Sequence, residues 1–208
     1  MSPLQRKTQE ERSLQTQNRL LDATISCLIT DGYSAITTTK VCRLSGMSQG
    51  AIFKHYPTKN DLVTAAIAKL YDHLIDVFEY AIEGLPPEGD RIGVCLTALW
   101  ALFDMPALLA VYDLHIAART DPQFREALEP FERRHRQKIR DAAARIFPEF
   151  TENPRFFTAI DIILGVMQGA AVGKLALPEP ELQIQRQEAL ELVARHFLEV
   201  TNECDQHL

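Results

Sequence analysis

The groups in this chain best suited to chemistry are a serine framed by glycines, a carboxylate three residues before a histidine, and four cysteines. Gly46-Met47-Ser48-Gln49-Gly50 has the G-x-S-x-G spacing of a hydrolase nucleophile elbow. That device needs a strand before the serine and an oxyanion loop beside it, and here helix signals stand on both sides. Glu132-Arg-Arg-His135 has the E-x-x-H spacing used in di-iron bundles. Those bundles need a second copy and two further carboxylates, and the sequence offers no second copy, so a solvated charged face is the better account. Cys27, Cys42, Cys95 and Cys204 are dispersed without a C-x-x-C pair, which indicates neither a zinc site nor a disulfide framework and suits a reducing compartment. No catalytic residue, metal or cofactor is therefore expected. A different chemistry fits the residues after Gly46. Ser48, Gln49, Ala51 and Lys54 lie early or outward on a short helix, where small, amide and cationic groups can approach base edges in a major groove. Lys59, near the start of the following helix, is placed for a phosphate.

The elements that would hold these groups are helices. No run shows sustained period-2 alternation with β-branched residues, and the chain reads as all-α. Thr8-Gln-Glu-Glu11 has the spacing of a capping box, from which a first helix runs to Asp31 and stops at Gly32. Thr37 caps a helix over about 38–45 with Ile36 and Val41 as its staple, and Gly46 ends it. Ser48 caps the next over about 49–56 with Met47 and Ile52 as its staple, and Thr58 with Asp61 caps a fourth. Two short helices joined by Gly46-Met47-Ser48 make a helix-turn-helix. The fourth helix extends to about Gly84, where Gly84-Leu-Pro-Pro-Glu-Gly89 reads as a linker. Later helices are expected over 91–104, 106–119, 122–147, 155–176 and 181–203, broken by prolines.

Three segments here resemble the DNA-binding head of the tetracycline-repressor (TetR) family. They are Gly32-Tyr33-Ser-Ala-Ile-Thr37-Thr38 followed by Val41, Gly46-Met47-Ser48-Gln-Gly50-Ala51-Ile52-Phe53, and His55-Tyr56-Pro57-Thr58-Lys59-Asn-Asp-Leu62. The match covers about residues 15–75 without an inserted or missing residue. By position it implies DNA contacts from Thr38, Thr39, Ser48, Gln49, Ala51, Lys54, His55 and Lys59. One departure is Phe53, where many members have Tyr, so a hydroxyl contact to phosphate is lost while an aromatic wedge remains. The rest resembles the family in layout only. That layout implies a helical bundle that dimerises through its last two long helices and often encloses a small-molecule pocket. The expected organisation is a tail and frayed helix start over 1–14, a DNA-binding domain over 15–75 with the helix-turn-helix at about 38–57, and a ligand-binding and dimerisation domain over 76–208.

Charge agrees with that division. The chain carries a formal −6, yet residues 1–60 hold eight Lys/Arg against four acids, a formal +4, which leaves −10 for residues 61–208. A basic head on an acidic body suits a polyanionic partner for the head alone. Gly165, Gly169 and Gly173 form a small-residue stripe that lets another helix approach closely. Leu190, Val193, Phe197 and Val200 recur at helical spacing, so these two helices are the expected interface of a homodimer. Trp100 and Phe103 of the fifth helix, Tyr112, His115 and Arg119 of the sixth, and Met167 of the eighth are expected to line a site for a small apolar or amphipathic effector. His115 could equally be a satisfied core histidine and Arg119 a partner for a carboxylate. Neither Val94–Tyr112 nor Phe156–Leu177 is a clean membrane span, and no signal peptide is evident, so a cytoplasmic protein without a membrane partner is expected. The leading functional expectation is a repressor released from near-palindromic operator DNA by its effector. The alternatives are a constitutive DNA-binding protein, or a helical enzyme with a regulator-like head.

Overall fold

The computed structural model describes residues 8–83 and 89–199, the side chains of 198 and 199 excepted. Most of the expected linker, the tail before Thr8, Val200 and Cys204 lie outside the described residues. Among the described residues the chain is all-α. Its helices are α1 (Gln9–Asp31), α2 (Thr38–Ser45), α3 (Gln49–His55), α4 (Lys59–Ala81), α5 (Arg91–Phe103), α6 (Pro106–Ala118), α7 (Pro122–Ile146), α8 (Phe156–Ala176) and α9 (Pro180–Glu199). Two short 3-10 turns, Tyr33–Ala35 and Pro148–Phe150, were not expected. Packing groups the residues up to Tyr71 with Ala110–Glu132 as one compact unit. Asp72–Leu109 and the residues from Arg133 onward form the other.

Local chemistry sets the boundaries of the first unit. At Thr8 both halves of the capping box are made, because Glu11 N–H donates to Thr8 Oγ1 and Thr8 N–H to Glu11 Oε2. Thr37 and Ser48 accept from the N–H groups of Lys40 and Ala51, each at 3.2 Å, and Thr58 and Asp61 bond reciprocally at the start of α4. Without these side chains the first N–H groups of each helix would lack a partner in the chain. Between α2 and α3 the chain reverses through Gly46 at φ 65° and ψ 25°, the left-handed conformation that a Cβ disfavours. Leu20, Cys27, Leu28, Ile36, Val41, Ile52, Leu62 and Phe124 are buried together with much of α4.

Gly46→Ala is expected to lower stability by about 1–2 kcal/mol, since the left-handed backbone is strained for alanine. The new methyl would also stand 3.1 Å from the guanidinium of Arg19, which donates to the Ser45 carbonyl at 2.7 Å. The shift in urea midpoint measures this, and an unchanged midpoint would contradict it.

In the second unit Cys95, Ala143, Phe147 and Phe156 form a buried cluster, flanked by Phe78, Phe150 and Phe157. Leu96, Trp100 and Phe103 share the buried face of α5. α8 and α9 pack on α5 and on one another. Asp161 of α8 lies 3.5 Å from Arg140 and 3.7 Å from Arg136 of α7, and Lys174 pairs with Asp104. Among the described residues α8 is the single unbroken helix long and apolar enough to cross a membrane.

Candidate nucleic-acid interface

The helix-turn-helix residues stand on the surface of the first unit. Ser48, Gln49 and Lys54 are exposed and Ala51 half-buried, while Ile52 on the opposite side of α3 is fully buried. That polarity turns the amide, the hydroxyl and the cation outward. Thr39 of α2 and Gln49 of α3 are brought together, Gln49 Nε2 donating to Thr39 Oγ1 at 3.3 Å, so two side chains ten residues apart present one polar patch. Thr38 is half-buried beside it. His55 Nδ1 lies 3.4 Å from Gln17 Nε2 of α1. Phe53 is 50% exposed, so the aromatic that replaces the expected tyrosine faces solvent.

Lys59 is the first residue of α4, its ammonium 4.8 Å from the Tyr33 ring centre. Tyr33 stacks in turn on Phe124, with centroids 4.6 Å apart and planes 26° from parallel, and burial raises its phenol pKa. Other cations are already engaged. Lys40 holds Asp31 at 2.7 Å, and its hydrogen bond pulls that carboxyl below the usual range. Lys69 holds Asp22 at 2.7 Å. The side chains of Arg12, Arg43 and Lys54 make no ion pair or hydrogen bond among the described residues. Arg12 and Arg43 were not among the residues picked from sequence. The signal missed was that neighbouring cations are spent inside the unit.

The remaining constellations fall apart or change role. Ser48 caps a helix that follows another helix, which is not the strand-to-helix turn of a nucleophile elbow. Glu132 accepts a hydrogen bond from the hydroxyl of Tyr71 and lies 2.8 Å from His115 Nε2. Among the described residues no three His, Cys, Asp or Glu groups converge as metal ligands. Cys27 and Cys95 are buried, and burial raises both thiols, Cys95 to about 11.

The three residues of the sixth helix expected to line an effector site do not share one buried face. Leu108 and Tyr112 are buried, with the Tyr112 hydroxyl lacking a hydrogen-bond partner among the described residues. His115 is exposed and engaged by Glu132, and Arg119 lies in the turn after α6. The helix ends at Ala118, and Asp121 caps α7, accepting from Phe124 N–H at 2.9 Å. Trp100, Phe103 and Met167 are all buried in the second unit.

The glycine stripe faces outward. Among the described residues, a methyl group at Gly165, Gly169 or Gly173 would meet nothing within 4 Å beyond its chain neighbours and the adjoining backbone of its own helix. Ile162, Val166 and Val172 share that exposed face of α8, and Val193 and Phe197 are exposed on α9. Leu190 is corrected, because it turns with Ala194 into the packing of its own chain.

Residues 20–66 match the tetR family of bacterial regulatory proteins. An uncharacterized HTH-type transcriptional regulator of Mycobacterium tuberculosis is 31% identical over 185 residues, covering 86% of this chain and 93% of the relative. HTH-type transcriptional regulator CymR of Pseudomonas putida is 33% identical over 141 residues, covering 68% of this chain and 69% of CymR. Among solved structures, a TetR transcription regulator of Haloarcula marismortui superposes with a TM-score of 0.68 at 20% identity, covering 90% and 98% of the two chains. Multidrug binding protein EbrR, complexed with imidazole, superposes with 0.66 at 20% identity, covering 91% and 95%. The helix-turn-helix and the near-full-length relatives place this chain in the tetR family of DNA-binding transcriptional regulators.

Proposed function

We propose that this regulator is a cytoplasmic homodimeric repressor that binds a near-palindromic operator and leaves it when a small amphipathic molecule binds. The observation that carries the reading is the open glycine stripe of α8 amid exposed Ile162, Val166 and Val172. A contiguous apolar face on a water-facing helix marks an association site, and small residues let a second helix come close. A two-fold pair of heads reads a two-fold DNA site, with recognition helices in successive major grooves about 34–36 Å apart. The interface is assigned to Gly165, Gly169, Gly173, Val193 and Phe197, with residues 76–208 as the body that carries it and 15–75 as the head. Thr38, Thr39, Ser48, Gln49, Ala51, Lys54, His55 and Lys59 are assigned to DNA. The effector is supported by the shared fold of EbrR, a multidrug binding protein. Trp100, the chain's one tryptophan, is a buried fluorescent reporter for ligand in the second unit.

Selection of bound fragments from random duplex DNA tests the reading, with inverted half-sites about one helical turn apart as the expected result. Direct repeats or no enrichment would overturn it. On the selected duplex, Gln49→Ala and Lys54→Ala are each expected to weaken binding by about 1–3 kcal/mol. Parent-like affinity of both variants would refute that face. A titrant that quenches Trp100 and lowers operator affinity identifies the effector class. Affinity untouched by every titrant would leave a constitutive regulator.

A further inference from the structure

The first two turns of α1 run beyond the packed part of the head. Burial begins at Leu20, while Gln9, Arg12 and Leu14 remain exposed. Between this overhang and the last turn of α3 lies an open cleft of about 590 Å³. Gln9, Arg12, Ser13 and Thr16 wall one side, and Lys54 and His55 the other. Its size would suit a small molecule, but small-molecule sites are mostly enclosed, and this cleft lies open to solvent. Beside the Glu10 carboxylate and the His55 ring its side chains present amide, hydroxyl and cation, groups that hold nucleic-acid backbones.

Charge singles the cleft out further. Lys40, Lys69 and Arg19 are committed to partners inside the unit, and Lys59 lies over Tyr33. The side chains of Arg12 and Lys54, on opposite walls, make no ion pair or hydrogen bond among the described residues. Two acids lie close by in sequence. Glu11 is turned into the capping box with Thr8, which leaves Glu10 as the acid lining the cleft. Attraction for an anion therefore comes from side chains and not from the start of α1, whose Glu11 N–H is already taken by Thr8. The cleft is continuous with the candidate interface, because Lys54 and His55 belong to both.

We propose that this cleft seats the sugar–phosphate backbone flanking the base pairs that α3 reads, with Arg12 and Lys54 as the cations on its two walls. The seat depends on α3 being the DNA-reading helix, and it makes the first two turns of α1 part of the operator-binding surface.

The test uses the full chain, its selected operator and a random duplex of equal length, over a series of salt concentrations. Arg12→Ala is expected to lower affinity roughly three- to tenfold on both duplexes, and to flatten the slope of log affinity against log salt by about one, the signature of one lost phosphate contact. Arg12→Lys should restore most of the slope. A neutral methylphosphonate scanned along the operator flank should find a position at which Arg12→Ala costs nothing more, while Gln49→Ala still weakens binding there. Parent-like affinity and slope for Arg12→Ala, alongside weakened binding by Gln49→Ala, overturns the seat and leaves α3 as the reader. A parent that prefers no duplex overturns both. Unchanged circular dichroism of Arg12→Ala assigns any loss to the missing guanidinium, and a loss of helicity equal to the loss of binding overturns the seat.

Discussion

Val166→Glu is expected to give a folded monomer that binds operator roughly 10²–10⁴-fold more weakly than the parent, the loss that follows when two linked heads become independent. Val166 lies in the middle of the outward face of α8, 45% exposed, next in sequence to Gly165. In a single chain a glutamate there points into water and leaves the packing of Ile163, Met167 and Ala170 untouched, so the variant should fold. In a pair of chains the same carboxylate enters an apolar contact with its symmetry mate close by, and two buried like charges without partners are costly. The glycine stripe sharpens the effect, because closely approaching helices leave no room for the glutamates to move aside. Ile116→Glu on α6, at a side chain that is 61% exposed, is the control and should remain dimeric. Sedimentation at micromolar concentration reads the outcome. A monomeric parent, or a dimeric Val166→Glu, would remove the interface assigned to α8.

The second large effect concerns stability. Phe124→Ala is expected to cost about 3–5 kcal/mol, the range for emptying a fully buried phenylalanine site. Phe124 has no exposed surface and stacks on Tyr33 at 4.6 Å. Tyr33 in turn supports the ammonium of Lys59. The truncation therefore removes apolar area, leaves a cavity, and deprives Tyr33 of the ring that fixes its plane. Phe124→Leu fills more of the site and should cost substantially less. Chemical denaturation monitored by helicity measures both. A loss below about 1 kcal/mol for the alanine variant would mean that the site collapses around the gap, contrary to the close packing expected of a core. Operator binding by any folded fraction should also weaken, because Lys59 loses its platform.

Much of the head was legible because its signals are local. Thr8 with Glu11, Thr37, Ser48, and Thr58 with Asp61 each mark a helix start within four residues, and each makes the hydrogen bond its spacing foretells. Gly32 and Gly46 mark the stops, and both adopt positive φ. Three-residue turns at Tyr33–Ala35 and Pro148–Phe150 escaped notice, since so short a segment has no period to detect. What eluded the sequence elsewhere was partnership. His115 and Glu132 are 17 residues apart, and nothing in either neighbourhood announces their contact. Leu190 and Val193 occupy the same helix at helical spacing, yet one is buried and the other exposed. Periodicity shows that α9 has apolar residues without showing which of them its own chain covers. The basic head was visible as a sum, but which cations are already engaged is a property of the folded unit, and that is why Arg12 and Arg43 were passed over.

The ion pairs of α8 bear on how the chain is handled during synthesis. A 21-residue apolar helix leaving the ribosome offers the length and hydropathy that targeting and insertion machinery screens for. Asp161 and Lys174 stand within it, and on insertion scales such residues oppose transfer to the bilayer by about 2.5–3.5 kcal/mol each at a helix centre and by less toward the ends. In the folded chain the same two residues hold Arg140 and Asp104. Replacing them with leucine to strengthen the apolar packing of α8 would thus remove two tertiary anchors and, at the same stroke, the charges that hold this segment in water before its neighbours have been made.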